Sequence, residues 1–291
     1  MKPQLLLVPV SSECSFSVRQ DVVLHFYNRW HYHPEIELLH IEQGSGTQFV
    51  GDSIQNFQSG DVLLIGANLP HYWRCDKEYF ENREGLFAKA TVVHFRDNFW
   101  GDTFLQLPEN RYIVRFLDKA RQGVRLLGTT RSAVKPLLAQ MLAEHGTARI
   151  VSLIQILSLV AQSDELEYLS TKDYPSYFDE ADTDRLNQIY AYSLTHFTRK
   201  ISLEEIATVA NMSPNSFCRY FKSRSRKPYS QFLLELRVSH ACKLLIEGKL
   251  SVAQVCYESG FNQFSGFNKY FRQITGKSPL QYQKSFGKPV R

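Results

Sequence analysis

The sequence predicts an α+β chain of two domains: an N-terminal β-barrel with accessory helices, then an all-α C-terminal domain that uses one helical unit twice. Three observations predict it. Short β-type segments with turn signals fill residues 15–95, a helical period replaces them beyond, and a repeat of 49 to 50 residues occupies the C-terminal third. The length, 291 residues, allows two cores at roughly 100–200 residues per domain. Charge divides the same way. Residues 1–180 carry 17 Lys and Arg against 22 Asp and Glu, whereas 181–291 carry 17 against 7, so a net −5 is joined to a net +10.

Composition excludes several classes. A chain that is 43% hydrophobic with 15 Gly and 11 Pro is neither disordered nor fibrous. The longest apolar stretch, 150–161, is broken by Ser152, Gln155 and Ser158 and is too short to span a bilayer, so no membrane partner is expected. The first ten residues are followed by Glu13 and by no small-residue cleavage site, so no leader is expected. Five cysteines (Cys14, Cys75, Cys218, Cys242, Cys256) are odd in number and lack C-x-x-C spacing, which points to a reducing compartment, the cytoplasm, rather than to a disulfide framework.

In the front half, 36–41 is apolar and β-branched, Gly44-Ser45-Gly46 turns the chain, 47–50 returns, Gly51-Asp52 is a hairpin signal, and Ser59-Gly60-Asp61 precedes 62–65. Regular short strands of this kind suit a barrel. Beyond residue 95, helical faces follow: Tyr112, Phe116 and Leu117; Val134, Leu137, Leu138, Met141 and Leu142; then Ile150, Ile154, Leu157 and Val160. The expected boundaries are a barrel at 1–98, a helical dimerisation region at 99–169, a linker at 170–184 around Pro175, and a helical domain at 185–287.

In that last domain, Ile201-Ser-Leu-Glu-Glu-Ile-Ala207 recurs as Leu250-Ser-Val-Ala-Gln-Val-Cys256, and Phe217-Cys-Arg-Tyr-Phe-Lys222 as Phe267-Asn-Lys-Tyr-Phe-Arg272. Each copy opens with a capping box, Ser202-x-x-Glu205 and Ser251-x-x-Gln254, in which two side chains satisfy the orphan amides of a new helix. A break follows at 211–213 and 260–262, where Asn211 and Gly260 suit the left-handed end of a helix and Ser213 and Asn262 suit the next cap. Phe217, Tyr220 and Phe221, like Phe267, Tyr270 and Phe271, are spaced to face inward.

The other face of each second helix then points out. It presents Asn215, Ser216, Cys218, Arg219 and Lys222 in the first copy, and Gln263, Ser265, Asn268, Lys269 and Arg272 in the second. A short helix, a tight turn and a second helix with a polar, basic face form a helix-turn-helix, whose second helix enters the major groove. Arg and Lys suit guanine edges and phosphates, and Asn suits adenine. A long helix over 229–247 joins the two units, spacing them to read major-groove faces one turn, roughly 34 Å, apart.

These residues, strongest in Glu258-Ser-Gly-Phe-Asn262 and Gly276-Lys-Ser-Pro279, resemble the AraC/XylS family of bacterial transcription regulators over 186–286. Arg226 stands where that family usually has Gly, a departure that touches the turn after the first recognition helix.

The front half holds His31-x-His33-x-x-x-Glu37 and, later, Gly60 followed by His71. Positions 31 and 33 of a strand point the same way. Three imidazoles and one carboxylate converging in a barrel suit a divalent transition metal with an open position. This pattern resembles the cupin motifs, the second loosely, with Gly66 where Pro is common. Three readings stay open: an effector pocket built from His31, His33, Glu37, His71, Trp30, Tyr32 and Trp73, a metal held by His31, His33, Glu37 and His71, or cupin catalysis. Phe26, Tyr27 and Tyr72 add aromatic density to the pocket. His25, His40 and His94 lack the spacing and read as ordinary strand or surface residues, and His145, His196 and His240 as helical ones.

The resemblance implies a cytoplasmic, ligand-responsive transcription regulator with a cupin-like sensor barrel, an activator of carbohydrate-use genes rather than an enzyme. The implied partners are double-stranded DNA, a small-molecule effector for which a sugar is one candidate, RNA polymerase and a second copy of the chain. No cofactor beyond a candidate divalent metal is implied.

Overall fold

The computed structural model describes residues 4–6, 8, 14–26, 29–81, 85–101, 103–171 and 180–286. The chain divides into two compact units, Pro3–Phe178 and Asp179–Arg291. Tyr27, residues 172–179 of the expected linker, and residue 287 lie outside the described residues.

The first unit is a β-barrel-like pair of sheets. Its strands are β1 (Gln4–Leu5), β2 (Ser17–Val23), β3 (His31–Tyr32), β4 (Ile36–Gln43), β5 (Ser45–Val50), β6 (Ser53–Gln58), β7 (Val62–Ile65), β8 (His71–Cys75), β9 (Ala88–Phe95), β10 (Val124–Leu126) and β11 (Leu166–Tyr168). One sheet runs β1-β3-β8-β5-β6 and the other β11-β10-β7-β4-β9-β2. All pairs are antiparallel except β1 with β3. Leu39, Ile41, Val50, Phe57, Leu63, Ile65 and Trp73 fill the space between the sheets.

Three helices follow, α1 (Arg111–Ala120), α2 (Gly128–Ala143) and α3 (Thr147–Ala161). They cover the outer face of the six-stranded sheet. Leu38, Val62, Leu64 and Val93 form one core with Ile113, Phe116, Leu117, Leu138, Leu153 and Ile156. The expected separation of a helical region, 99–169, from a barrel, 1–98, is therefore not kept: those helices complete the same core, and β10 and β11 extend the sheet. Strands of three residues are too short for alternation to show in the sequence. Tyr112, expected on the buried face of α1, is 47% exposed, and Ile113 is buried in its place. In α3, Leu157 and Val160 are buried as expected and Leu153 and Ile156 join them, while Ile150 and Ile154 are half-buried. Gly66 admits a close approach, since a Cβ there would lie 2.5 Å from the Cα of Arg121, just past the end of α1.

The 170–184 stretch is not all linker. Ser170 Oγ and Thr171 N donate to Asp52 Oδ1 at 2.8 and 2.9 Å, tying these residues to the barrel, and α4 (Glu180–His196) begins before residue 184.

The second unit continues with α5 (Leu203–Val209), α6 (Pro214–Ser225), α7 (Tyr229–Glu247), α8 (Val252–Glu258), α9 (Phe264–Thr275) and α10 (Pro279–Phe286). Both expected capping boxes are present, at Ser202/Glu205 and Ser251/Gln254. Asn211 and Gly260 both take the left-handed conformation, with φ of 52° and 80°. The cap of α9 differs from expectation. It is Gln263 rather than Asn262, and its side chain makes no capping bond, whereas Ser213 accepts from the Ser216 amide.

Phe217 and Phe221 pack with Tyr190, Tyr229 and Phe232, while Phe267 and Phe271 pack with Val238, Ala241, Leu245, Val255 and Phe261. The long α7 thus contributes to both cores. Truncating one of these fully buried rings to Ala costs about 3–5 kcal/mol. No helix among the described residues is long and apolar enough to cross a membrane.

Candidate effector site and nucleic-acid interface

Strand pairing assembles the barrel site. His31 on β3 lies directly opposite His71 on β8, and Glu37 on β4 directly opposite His94 on β9. His31, His33, Glu37 and His71 are all buried, and one ligand atom from each falls within 4.8 Å of the others. His33 Nε2 is 3.2 Å and His71 Nε2 3.7 Å from Glu37 Oε2.

Hydrogen bonds define the tautomers. His31 Nδ1 bonds the Arg29 carbonyl at 2.8 Å, His33 Nδ1 that of Glu35 at 2.9 Å, and His71 Nδ1 that of Leu69 at 2.8 Å. A carbonyl only accepts, so each Nδ1 carries the proton, and in the neutral ring the Nε2 of His31 and of His71 turns a lone pair inward, whereas His33 Nε2 also hydrogen-bonds the Glu37 carboxylate at 3.2 Å. His71 Nε2 has no hydrogen-bond partner. His94 is the reverse: Arg19 Nη1, which can only donate, meets its Nδ1 at 3.0 Å, so its Nε2–H donates to Glu37 Oε2 at 2.8 Å.

Burial alone would raise the Glu37 carboxyl, but the imidazoles of His33, His71 and His94 outweigh it and hold it well below the usual carboxylate range. Burial, reinforced by the neighbouring His71, keeps His31 well below the usual imidazole range, and burial likewise lowers His94 despite Glu37. The donor set, three nitrogens and one oxygen each oriented by a backbone carbonyl or a second side chain, fits a divalent transition metal.

The expectation that His94 is an ordinary strand residue is corrected: it is 1% exposed and bonded to Glu37. No local spacing marks it, because the two residues stand 57 positions apart and are brought together only by the β4/β9 ladder. Of the expected pocket aromatics, Trp73 and Phe26 line a cavity of about 80 Å³ with Arg19, Asp21, His31 and Glu37. Trp30 is buried but does not line that cavity, Tyr32 alternates to the face opposite its histidine neighbours, and Tyr72 packs on Phe49. A larger depression, about 750 Å³, lies between Pro34, Asn68 and Leu69 and the α1 residues Val114, Arg115 and Asp118, and it contains none of the cluster.

In the helical unit, Asn215, Cys218, Arg219 and Lys222 are exposed on α6, and Gln263, Ser265, Lys269 and Arg272 on or beside α9. Two expected contacts are less free. Ser216 is half-buried and bonded to Ser213, and Asn268 is half-buried with its Nδ2 donating to the Phe264 carbonyl at 3.2 Å. Phe264 is 42% exposed at the first turn of α9, and nothing in the sequence separates it from the buried phenylalanines around it. Neither helix has an acidic residue in its first turn, and basic residues end both.

Residues 16–81 match the family model described as an AraC-like ligand binding domain, and residues 206–285 the model described as a helix-turn-helix domain. The chain belongs to the AraC family of transcription regulators. Among AraC-type relatives, it is 23% identical to the uncharacterized HTH-type transcriptional regulator YdeC of Bacillus subtilis (strain 168), over 87% of this chain and 85% of that one. It is 24% identical to the HTH-type transcriptional activator RhaS of Enterobacter sp. (strain 638), over 87% of each. A solved structure, the DNA-binding domain of AdpA in complex with a target DNA, is 30% identical with a TM-score of 0.34, covering 35% of this chain and 92% of that one. As an AraC-type regulator, the chain combines a DNA-binding helical domain with a ligand-binding, cupin-like sheet domain.

Proposed function

We propose that effector binding among His31, His33, Glu37, His71 and Trp73 controls sequence-specific DNA reading by α6 and α9. The observation that carries this reading is the duplicated helix pair, each copy opened by a capping box, whose outward faces hold Arg219, Lys222, Lys269 and Arg272. Effector binding shifts the population between DNA-binding states, which requires only a difference in effector affinity between them. The chain acts as a dimer in the cytoplasm, contacts RNA polymerase, activates carbohydrate-use genes and catalyses no reaction. Support for activation is the name of the RhaS relative, and support for carbohydrate is the family resemblance of the sequence. Selection of sites from random DNA with the purified chain tests the central claim. Enrichment of a paired motif whose affinity falls steeply with salt is expected, and failure to enrich any sequence overturns it.

A second reading is favoured by the convergence of four buried ligand atoms within 4.8 Å of one another: the effector site holds a divalent metal on His31, His33, Glu37 and His71. Such an ion would supply Lewis acidity and open coordination positions to the effector's oxygens. Elemental analysis of the purified protein checks it. One metal per chain, lost in His71→Ala, is expected, and no bound metal after growth in metal-supplemented medium overturns it.

A further inference from the structure

Phe264 differs from the other phenylalanines packed into the helical unit. It is 42% exposed, whereas Phe217, Phe221, Phe232, Phe261, Phe267 and Phe271 are all buried. It occupies the first position of α9 and starts the row that continues, four and eight residues on, through Asn268 and Arg272. Its ring leans on Phe267, with centroids 6.1 Å apart. Asn268, the next residue of that row, turns its amide back, Nδ2 donating to the Phe264 carbonyl at 3.2 Å. In the first unit the equivalent position is Pro214, which is half-buried.

Single exposed apolar residues are ordinary on a protein surface, but in a helix-turn-helix the N-terminal residues of the second helix meet the base edges. Phe264 has a side chain with neither donor nor acceptor, so it reads no base by hydrogen bonding. The apolar group that the major groove displays on a base edge is the C5 methyl of thymine. We propose that Phe264 is a specificity-determining residue that packs on a thymine methyl in the half-site read by α9. This rests on the reading that α6 and α9 enter the major groove. Pro214 brings no such ring to the start of α6, so the methyl contact belongs to one half-site alone. That asymmetry fixes which way round the chain lies on its operator, a choice that two units of like fold and like basic charge would otherwise leave open.

The test selects a binding site from random DNA with the full-length protein, then replaces each thymine of that site in turn by uracil, which lacks only the C5 methyl. Wild type is expected to lose about fourfold in affinity at one uracil position, the contribution of one buried methyl. Phe264→Ala is expected to bind the thymine and uracil forms of that position equally, and Phe264→Leu, which keeps an apolar contact, to retain part of the preference. Equal sensitivity to uracil at every position in wild type and Phe264→Ala overturns the proposal. So does a Phe264→Ala chain that melts lower and loses affinity by the same factor for every sequence, the signature of packing within the unit alone. Should Phe264→Ala not fold, Phe264→Gln is read by the same series. A selection that enriches no sequence removes the major-groove reading of α6 and α9 and this proposal with it, whereas an enriched site indifferent to every uracil removes this proposal alone.

Discussion

Gly260 lies against the backbone carbonyl of Phe197, so close that a Cβ would stand 2.7 Å from that oxygen. The turn of the second helix-turn-helix is thereby seated on the segment that ends α4. Arg237 on α7 holds the same segment, its Nε donating to the Phe197 carbonyl and its Nη2 to that of Arg199, both at 2.8 Å. The contact links the two DNA-reading units through backbone rather than through adaptable side chains. Gly260→Ala combines a left-handed φ of 80° with this clash and is expected to cost about 2–4 kcal/mol. Operator affinity should fall with it, which a melting curve and a gel shift together check. Unchanged values in both would show that the seat is not needed.

Arg226 and Gly276 end α6 and α9 in the same left-handed conformation, with φ of 59° and 73°. The departure from the family's Gly thus leaves the turn intact at the expense of steric strain. Arg226→Gly is expected to stabilise the helical unit by roughly 0.5–1 kcal/mol, read as a rise of a few degrees in its melting temperature.

Glu205 accepts from Arg199 Nη2 at 2.5 Å and from the Tyr192 hydroxyl, and these bonds, that of Arg199 foremost, bring its carboxyl down to about 2. A carboxyl depressed in the folded state contributes stability above its unfolded value, about 4.3, that disappears as pH falls toward 2. The melting temperature of the helical unit should therefore drop between about pH 5 and 2, less so at high salt because the pair is exposed. Glu205→Gln keeps the capping box, as Gln254 does in the second copy, and should flatten that part of the profile.

Arg219→Ala and Lys269→Ala should each weaken operator binding by roughly 1–3 kcal/mol where the contact is to a base edge, and relax preference at that base. A uniform loss across operator variants, with a shallower salt dependence, would reassign the residue to phosphate. No change in either variant removes both from the reading face.

The helical domain was legible because its signals are local. A capping box spans four residues, a left-handed Asn or Gly one, and the Phe217/Phe221 and Phe267/Phe271 pairs a single turn, so each copy could be read from its own segment and checked against the other. The departures there are local too: Gln263 rather than Asn262 at the cap, and Asn268 turned back on its own helix.

In the barrel, the grouping of His31, His33, Glu37 and His71 is legible in their spacing, because alternate positions of an extended chain share a face and the motif supplies the rest. That His94 donates to Glu37, that Gln48 lies across from Trp73, and that residues 124–126 and 166–168 extend the sheet emerges only in the folded chain. Those relations depend on strand register between segments dozens of residues apart. A one-residue slip would send every side chain to the opposite face, and no short window of sequence records which register wins.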